Sequence, residues 1–426
     1  MRQAARHGFW WLAFLLSSLP PLCAQAKLPD ETALLARIRA RAAENLRRLP
    51  NYTCLETIER SLRRAASRRF ELIDLVRLEV AYVDGKEMFA WPGSRTFEDR
   101  DITEMVSEGA IGNGSFALHV RGIFLSNSAL FQYAGRVTLD GRAAIRFDYH
   151  VPMVRSGYKL RVKPEEGIAG YKGSFWIDPQ TLDLMRLDVD IDDIPSNIPV
   201  AAGRESLEYA PAAIGGKDFL LPRRSELMLT DLGGNESRNY LHFSGCREFT
   251  GESVINFEDV PADPAVSRKP PVPITLAEGL DIDLKLQTPI EAGVTAVGDP
   301  VTALVAKAVR GKGHLYVPKG AVVEGRVVKF QRRHGPRDTF WALGLLFDRV
   351  DFENRFGEFR AHMYPVTFPP GMGYSTDPRR QGPYAGPEPT ETNPRIGILY
   401  LKGERAKLPA GISTSWRTLA PAEETK

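Results

Sequence analysis

The sequence predicts a mainly β protein: a helix near the N-terminus, a long antiparallel sheet on which it packs, and a second, smaller β domain. Three observations carry this expectation. Asp-Gly pairs at 84–85 and 140–141 separate runs of strand-like residues, which is the strongest short hairpin signal. Apolar residues recur at helical spacing over 27–50 and change to a strand-like period after Tyr52. The 37 Gly and 31 Pro are spread along the chain as turn punctuation, which favours many short strands.

At 426 residues the chain has room for two or three domains of ordinary size. Its 43% hydrophobic and 26% charged residues suit a globular protein with a proper core. A net charge of +3 over that length does not mark a nucleic-acid binder, and no nucleic acid is expected as a partner.

Arg2 and Arg6 precede an apolar run over 9–16, and Ala24-Gln25-Ala26 follows. This reads as a signal peptide, residues 1–26, cleaved after Ala26. The apolar run is too short for a membrane span of roughly 20 residues. No second stretch approaches that length, so the mature chain is expected in the periplasm or cell envelope, without a transmembrane segment. A lipid anchor on Cys23 is the competing reading; Leu22 stands where that signal needs a small residue.

In the helix over 27–50, Asp30 suits the N-cap, and Leu34, Leu35, Ile38, Ala42, Leu46 and Leu49 share one face. Pro50 stops it. The opposite face is basic, and Arg37, Arg41, Arg48, Arg63 and Arg64 are candidates for contact with anionic lipid head groups or envelope polymers. A solvated helix face is the alternative.

Strands follow over 70–83 and 87–91, 130–139 and 142–151, 171–177 and 182–191, and 219–230 and 237–249. They form an antiparallel meander of nine to eleven strands. Between Thr96 and Ser128 the pattern lapses into a short helical turn at 102–106 and a loop with Gly109, Gly112 and Gly114, either a flap over a cavity or an irregular connection. The first domain is expected to cover 27–257. Five prolines between 258 and 273 mark a semi-rigid linker. Short strands over 282–286, 301–309, 314–317, 321–330, 339–350, 360–366, 395–401 and 413–419 build a second domain over 274–420. A Pro- and Gly-rich insertion at 369–394 is expected to be poorly ordered.

Export places Cys54 and Cys246 in an oxidising compartment, where two thiols tend to be bridged. A bridge predicts Cα atoms within about 7 Å. Two separate buried thiols are the other possibility.

Two resemblances add to this reading. The N-terminal helix, the hairpin meander and the segment Gly173-Ser174-Phe175-Trp176-Ile177-Asp178-Pro179-Gln180-Thr181 make residues 28–257 resemble the LolA/LolB-type envelope carriers. That likeness implies a curved, incomplete antiparallel barrel with helices on its concave face and an apolar cavity for acyl chains. Residues 274–420 are similar to the β-barrel module of TrbI-type conjugation-channel proteins, through Leu286-Gln287-Thr288-Pro289-Ile290, Val297-Gly298-Asp299-Pro300-Val301, Leu315-Tyr316-Val317-Pro318-Lys319-Gly320 and Glu324-Gly325-Arg326-Val327. The transmembrane N-terminus and antenna of those channel proteins have no counterpart here, so the likeness implies a reused envelope module.

Catalytic motifs are missing from the sequence: there is no His-Glu-x-x-His, no Gly-x-Ser-x-Gly and no phosphate loop, and neither a cofactor nor a metal is expected. Asp188-x-Asp190-x-Asp192 starts like a calcium loop, but Asp193 and Pro199 occupy positions that need Gly and Glu, and the wet face of a strand explains the alternation. Trp91, Phe116, Phe124, Phe131, Tyr149, Phe175 and Trp176 are the candidates to line an apolar cavity, against the simpler role of core aromatics. The expected function is a non-enzymatic envelope protein that binds a lipid or lipoprotein acyl chain and docks to an envelope partner through its second domain. The alternatives are an assembly protein using both modules for protein contacts only, and a hydrolase of unrecognised geometry.

Overall fold

The structure, a computed structural model, describes residues 30–94, 97, 102–105, 118–162, 164–249, 271–311, 314–334, 339–365, 373–375 and 393–421. The signal segment, Phe116, the 109–114 glycines and most of the linker and insertion lie outside them. Helix α1 (Asp30–Arg48) has Asp30 and Glu31 in its first turn and Arg47 and Arg48 in its last, the charge order that suits a helix dipole. Ile38 is fully buried, and Leu34, Leu35, Ala42 and Leu46 pack around the same cluster.

The first meander consists of β1 (Tyr52–Arg63), β2 (Glu71–Val83) and β3 (Lys86–Ala90), followed by the hairpin of β4 (Leu130–Leu139) and β5 (Arg142–Val151). A small hairpin, β6 (Lys159–Val162) and β7 (Glu165–Ile168), stands apart from the sheet. The meander resumes with β8 (Gly170–Ile177), β9 (Leu184–Asp192), β10 (Val200–Ile214), β11 (Lys217–Asp231) and β12 (Glu236–Glu248). These form a ten-stranded sheet in the order β3-β2-β1-β12-β11-β10-β9-β8-β5-β4. It curls into a half-barrel around α1, so the fold is mainly β as expected. Asp84 and Gly85 (φ 50° and 83°) and Asp140 and Gly141 (φ 49° and 79°) make the mirror-image turns that match strand twist.

The order brings the first long strand beside the last. Cys54 on β1 and Cys246 on β12 are disulfide-bonded, with Cα atoms 4.1 Å apart. The bond sits at a bulge: Thr53 opposes Arg247 and Leu55 opposes Ser244, which leaves two residues facing Cys54. Gly245, at φ 58°, supplies the conformation the bulge needs.

After the linker the chain forms β13 (Val272–Ile274), β14 (Asp281–Leu286), β15 (Ile290–Glu291), β16 (Pro300–Val305), β17 (Val309–Gly311) and β18 (His314–Val317). It continues with β19 (Val322–His334), β20 (Thr339–Phe352), β21 (Arg355–Glu358), β22 (Ala361–Met363), β23 (Tyr374–Ser375), β24 (Ile396–Lys402), β25 (Lys407–Leu408) and β26 (Ser413–Thr418). The main path of the second sheet is β13-β21-β20-β19-β16-β14-β26-β22, with β24 beside β20. Strands β17 and β18 pair only with each other and β15 only with β25. Gly397 of β24 leaves room for Met363 of β22 and the Trp416 indole, which brings β24, beside β20, against β22 at one end of the path.

The two sheets share a seam at β2. Val76 bridges Val297 in parallel, through Val297 N–H to Leu75 O and Arg77 N–H to Val297 O, both 2.8 Å. Arg77 also pairs with Asp299, and His334 Nε2 lies 2.7 Å from Glu71. A side chain on Gly298 would collide with the Arg77 carbonyl and the Trp91 ring, so only glycine allows this approach. A single apolar cluster runs from Tyr52, Ile58 and Leu78 through to Val327, Leu345 and Trp416.

Some elements differ from expectation. The long strand β10 was not anticipated. Pro211 breaks its pattern, but β9 pairs only with Arg204–Glu208 of β10, so Pro211 lies where no ladder bond is needed on that side. The lapse over 96–128 contains a helical segment at 118–125, of π type from Arg121 to Leu125. Within the insertion expected to lack order, Tyr374 and Ser375 pair with Leu401 and Tyr400.

Candidate functional site

Strand alternation and cross-strand register define the concave face residue by residue. From one edge, Phe131 opposes Tyr149, Phe147 opposes Phe175, Phe175 opposes Leu187, and Leu187 opposes Leu207. Leu207 opposes Ser225, Ser225 opposes Leu241, and Leu241 opposes Ile58. Phe147 and Phe175 are stacked with centroids 5.4 Å apart, Phe124 meets Phe175 edge-on at 4.8 Å, and Phe131 does so at 6.1 Å. Tyr149 donates its hydroxyl to the Asp188 carbonyl at 2.9 Å.

The expected cavity aromatics therefore separate. Phe124, Phe131, Tyr149 and Phe175 come together on the concave face, with Phe147 as a fifth ring that the sequence reading passed over. Two members do not join them. Trp176 follows Phe175 in one strand and so points to the outer face, where Arg146 and Arg186 lie over its ring at 5.6 and 5.4 Å. Trp91 packs in the seam beside Gly298.

Helix α1 lies across the concave face. Between it and the sheet is a crevice lined by Ile38, Ala42, Leu46, Leu49, Phe124 and Tyr209, among others. Its cavity volume is about 30 Å³. That is room for a water or two, so the crevice is closed in this state. The hydroxyl oxygen of Tyr209, on its lining, is buried without a hydrogen-bond partner among the described residues.

Arginines hold the helix down. Arg41 clamps Asp183 through Nε at 2.7 Å and Nη2 at 3.2 Å, and Asn45 adds a bond of 2.9 Å. Burial pulls the Asp183 carboxyl upward, but the bonds from Arg41 and Asn45 outweigh it and hold its pKa below the ordinary value. Arg39 donates to the Phe124 and Ser126 carbonyls at 2.8 and 3.0 Å, tying α1 to the end of the π segment. Of the arginines expected to face an anionic surface, Arg41 is thus committed to Asp183 and Arg63 to Glu236, whereas Arg37, Arg48 and Arg64 are exposed. Asp183→Ala should cost about 1–2 kcal/mol, the value of a charge-assisted contact discounted for partial exposure. A fall in the thermal midpoint with faster amide exchange confined to α1 would show it; unchanged exchange in α1 would refute the clamp.

Beyond the aromatic floor the concave face turns polar. Glu205, on β10, is buried; its carboxylate accepts from Ser225 at 2.8 Å and lies 2.9 Å from His119 Nε2. Tyr158 stacks on His119 at 5.8 Å. Here the carboxylate lies between hydroxyl and imidazole, whereas a nucleophilic triad needs the imidazole in the middle. Glu56 of β1 is 3% exposed. Burial, then the nearby charges of Glu87 and Glu205, push its pKa up to about 8. Further along β1, Arg60 and Asp74 form a buried two-bond pair at 2.7 and 2.5 Å.

On the outer face Asp188 accepts from Arg186, Arg204 and Ser206 at 2.7, 2.9 and 2.8 Å, so the acidic alternation of β9 is an ion-pair ladder. Among the described residues no group of three or more His, Cys, Asp or Glu is placed to hold a metal ion, and no helix is long and apolar enough to cross a membrane.

No family model and no curated protein matches this sequence. Solved structures that align with it include the following three. A DUF1329 family protein from Desulfovibrio piger is 14% identical, covers 54% of this chain and 98% of its own, and has a TM-score of 0.28. A domain described as outer membrane lipoprotein-sorting, from Vibrio parahaemolyticus, is 14% identical over 51% of this chain and 94% of its own, with a TM-score of 0.27. The Mycobacterium tuberculosis lipoprotein LppX is 12% identical over 52% and 98%, with a TM-score of 0.21. Likenesses of this size carry no functional weight.

Proposed function

We propose that this chain is an exported envelope protein that binds the acyl chain of a lipid or lipoprotein between α1 and the concave sheet. The observation that carries this reading is the crevice itself: an apolar slot beneath an amphipathic helix, lined mostly by aliphatic side chains with Phe124 and Tyr209 as its only rings among the described residues. In the closed state it is too narrow for an acyl chain, so binding requires α1 to lift from the sheet. The clamp holding it, Arg41 to Asp183, is half-exposed and breakable at small cost. The second sheet, seamed to β2, is the part proposed to dock with an envelope partner.

The test is titration of delipidated full chain with a pyrene-labelled fatty alcohol, which carries no charge. Saturable one-to-one binding is expected, lost in Ala42→Phe, which fills the slot. No uptake by the unmodified chain would overturn the proposal. The rival reading is an assembly protein whose concavity is only a core, and it has its own support: Phe124, Phe147 and Phe175 are each at most 2% exposed. It predicts no binding by either form.

A further inference from the structure

The acyl-binding reading leaves the polar end of the ligand unspecified, and the concave face supplies chemistry for it. Glu56 makes no hydrogen bond or ion pair among the described residues, although its neighbours on the same face of β1 are all engaged: Cys54 in the disulfide, Ile58 in the core, Arg60 with Asp74. A buried carboxyl left without a partner calls for explanation. Tyr209 is the second such group. Its ring lines the crevice, its hydroxyl is buried and unpaired among the described residues, and the charges of Glu205 and Glu87 act on it. Ile58 and Leu207 share one cross-strand row of the concave face, so Glu56, two residues before Ile58 on β1, and Tyr209, two after Leu207 on β10, open onto the same concavity. Leu46 packs against both core clusters and marks where one passes into the other.

We infer, resting on the acyl-binding reading, that the ligand carries a positively charged head, an alkylammonium, received by Glu56 with Tyr209 and Glu205 beside it. The tail lies under α1. A carboxylate or phosphate head would meet the Glu56 and Glu205 carboxyls, and the buried cation on the same face of β1, Arg60, is held by Asp74. An ammonium does the reverse. It draws the Glu56 proton off and replaces an unpartnered neutral acid with an ion pair in a low-dielectric site.

Three probes of equal chain length separate the cases: dodecyltrimethylammonium, dodecanol and dodecanoate. Each is titrated calorimetrically, below its micelle concentration, into the full chain at neutral pH. The ammonium is expected to bind roughly tenfold tighter than the alcohol, with the carboxylate weakest, the order set by electrostatic complementarity. The net charge of +3 favours anions, so it cannot produce this order. Glu56→Gln is expected to abolish the preference for ammonium over alcohol. If that variant fails to fold, the ranking in the unmodified chain still decides. Equal binding of all three, or dodecanoate tightest, overturns the charged-head inference and leaves the acyl site standing. Failure of all three, dodecanol included, overturns the acyl site itself.

Discussion

Removing the disulfide, by reductant or as the Cys54→Ser, Cys246→Ser double variant, should cost about 5 kcal/mol of the first sheet's stability. The figure follows from loop closure: the bond joins residues 192 apart, and constraining a loop of that size removes about 5 kcal/mol of unfolded-state entropy. A domain is ordinarily stable by about 5–15 kcal/mol in total, so the loss is enough to leave it marginal. Denaturant unfolding in the presence and absence of reductant measures it. The midpoint should fall steeply, with an increased slope, because the unfolded chain becomes less compact. A change under about 1 kcal/mol would mean that the reduced chain stays equally constrained, and the clasp would lose its stabilising role.

The second large effect is a dependence on pH set by Glu56. Its folded pKa of about 8 stands above an ordinary value of 4.5. For an acid raised in this way, the native state keeps a proton that the unfolded state has already released. Stability is then complete below the unfolded value, declines as pH rises from 4.5, and levels off above 8. At about 1.4 kcal/mol per pH unit the total reaches about 5 kcal/mol as an upper figure. Asp183 and Asp188, whose pKa values are lowered, act only at acid pH, below this window. Unfolding midpoints at several values between pH 5 and 8.5 should decline for the unmodified chain and stay nearly level for Glu56→Gln. The two curves should cross, since the buried amide costs about 1–3 kcal/mol where the acid was neutral anyway. Parallel curves would show that Glu56 does not titrate in that range.

How much of this was legible in the sequence depends on which force set each feature. The Asp-Gly turns were readable because positive φ at two consecutive residues restricts residue type, and the first strands took the expected bounds. The apolar face of α1 was readable for the same local reason. Strand β10 was not, because Gly203, Pro211 and several alanines lower its propensity, and it holds through its long pairing with β11. Among the aromatics, alternation alone already excluded one of Phe175 and Trp176 from the concave side. The buried Glu56 was hidden for a different reason. Charged residues in strands ordinarily face water, so Glu56 and Arg60 argue for turning that side of β1 outward. Only the curl of the sheet and the helix over it reverse this.

The position of β1 bears on the time the chain takes to fold. Every other strand of the first meander follows it in sequence, yet its second edge is completed only by β12, from Glu236 to Glu248. A fragment ending before Glu236 leaves a long strand with one row of backbone donors and acceptors unpaired. Closing that contact links the two ends of the meander, a pairing of high contact order that is intrinsically slow. A nascent or truncated chain would therefore spend its folding time with the edge open to strands of other chains. Self-association of incomplete chains is the hazard this topology carries, and it ends when β12 arrives.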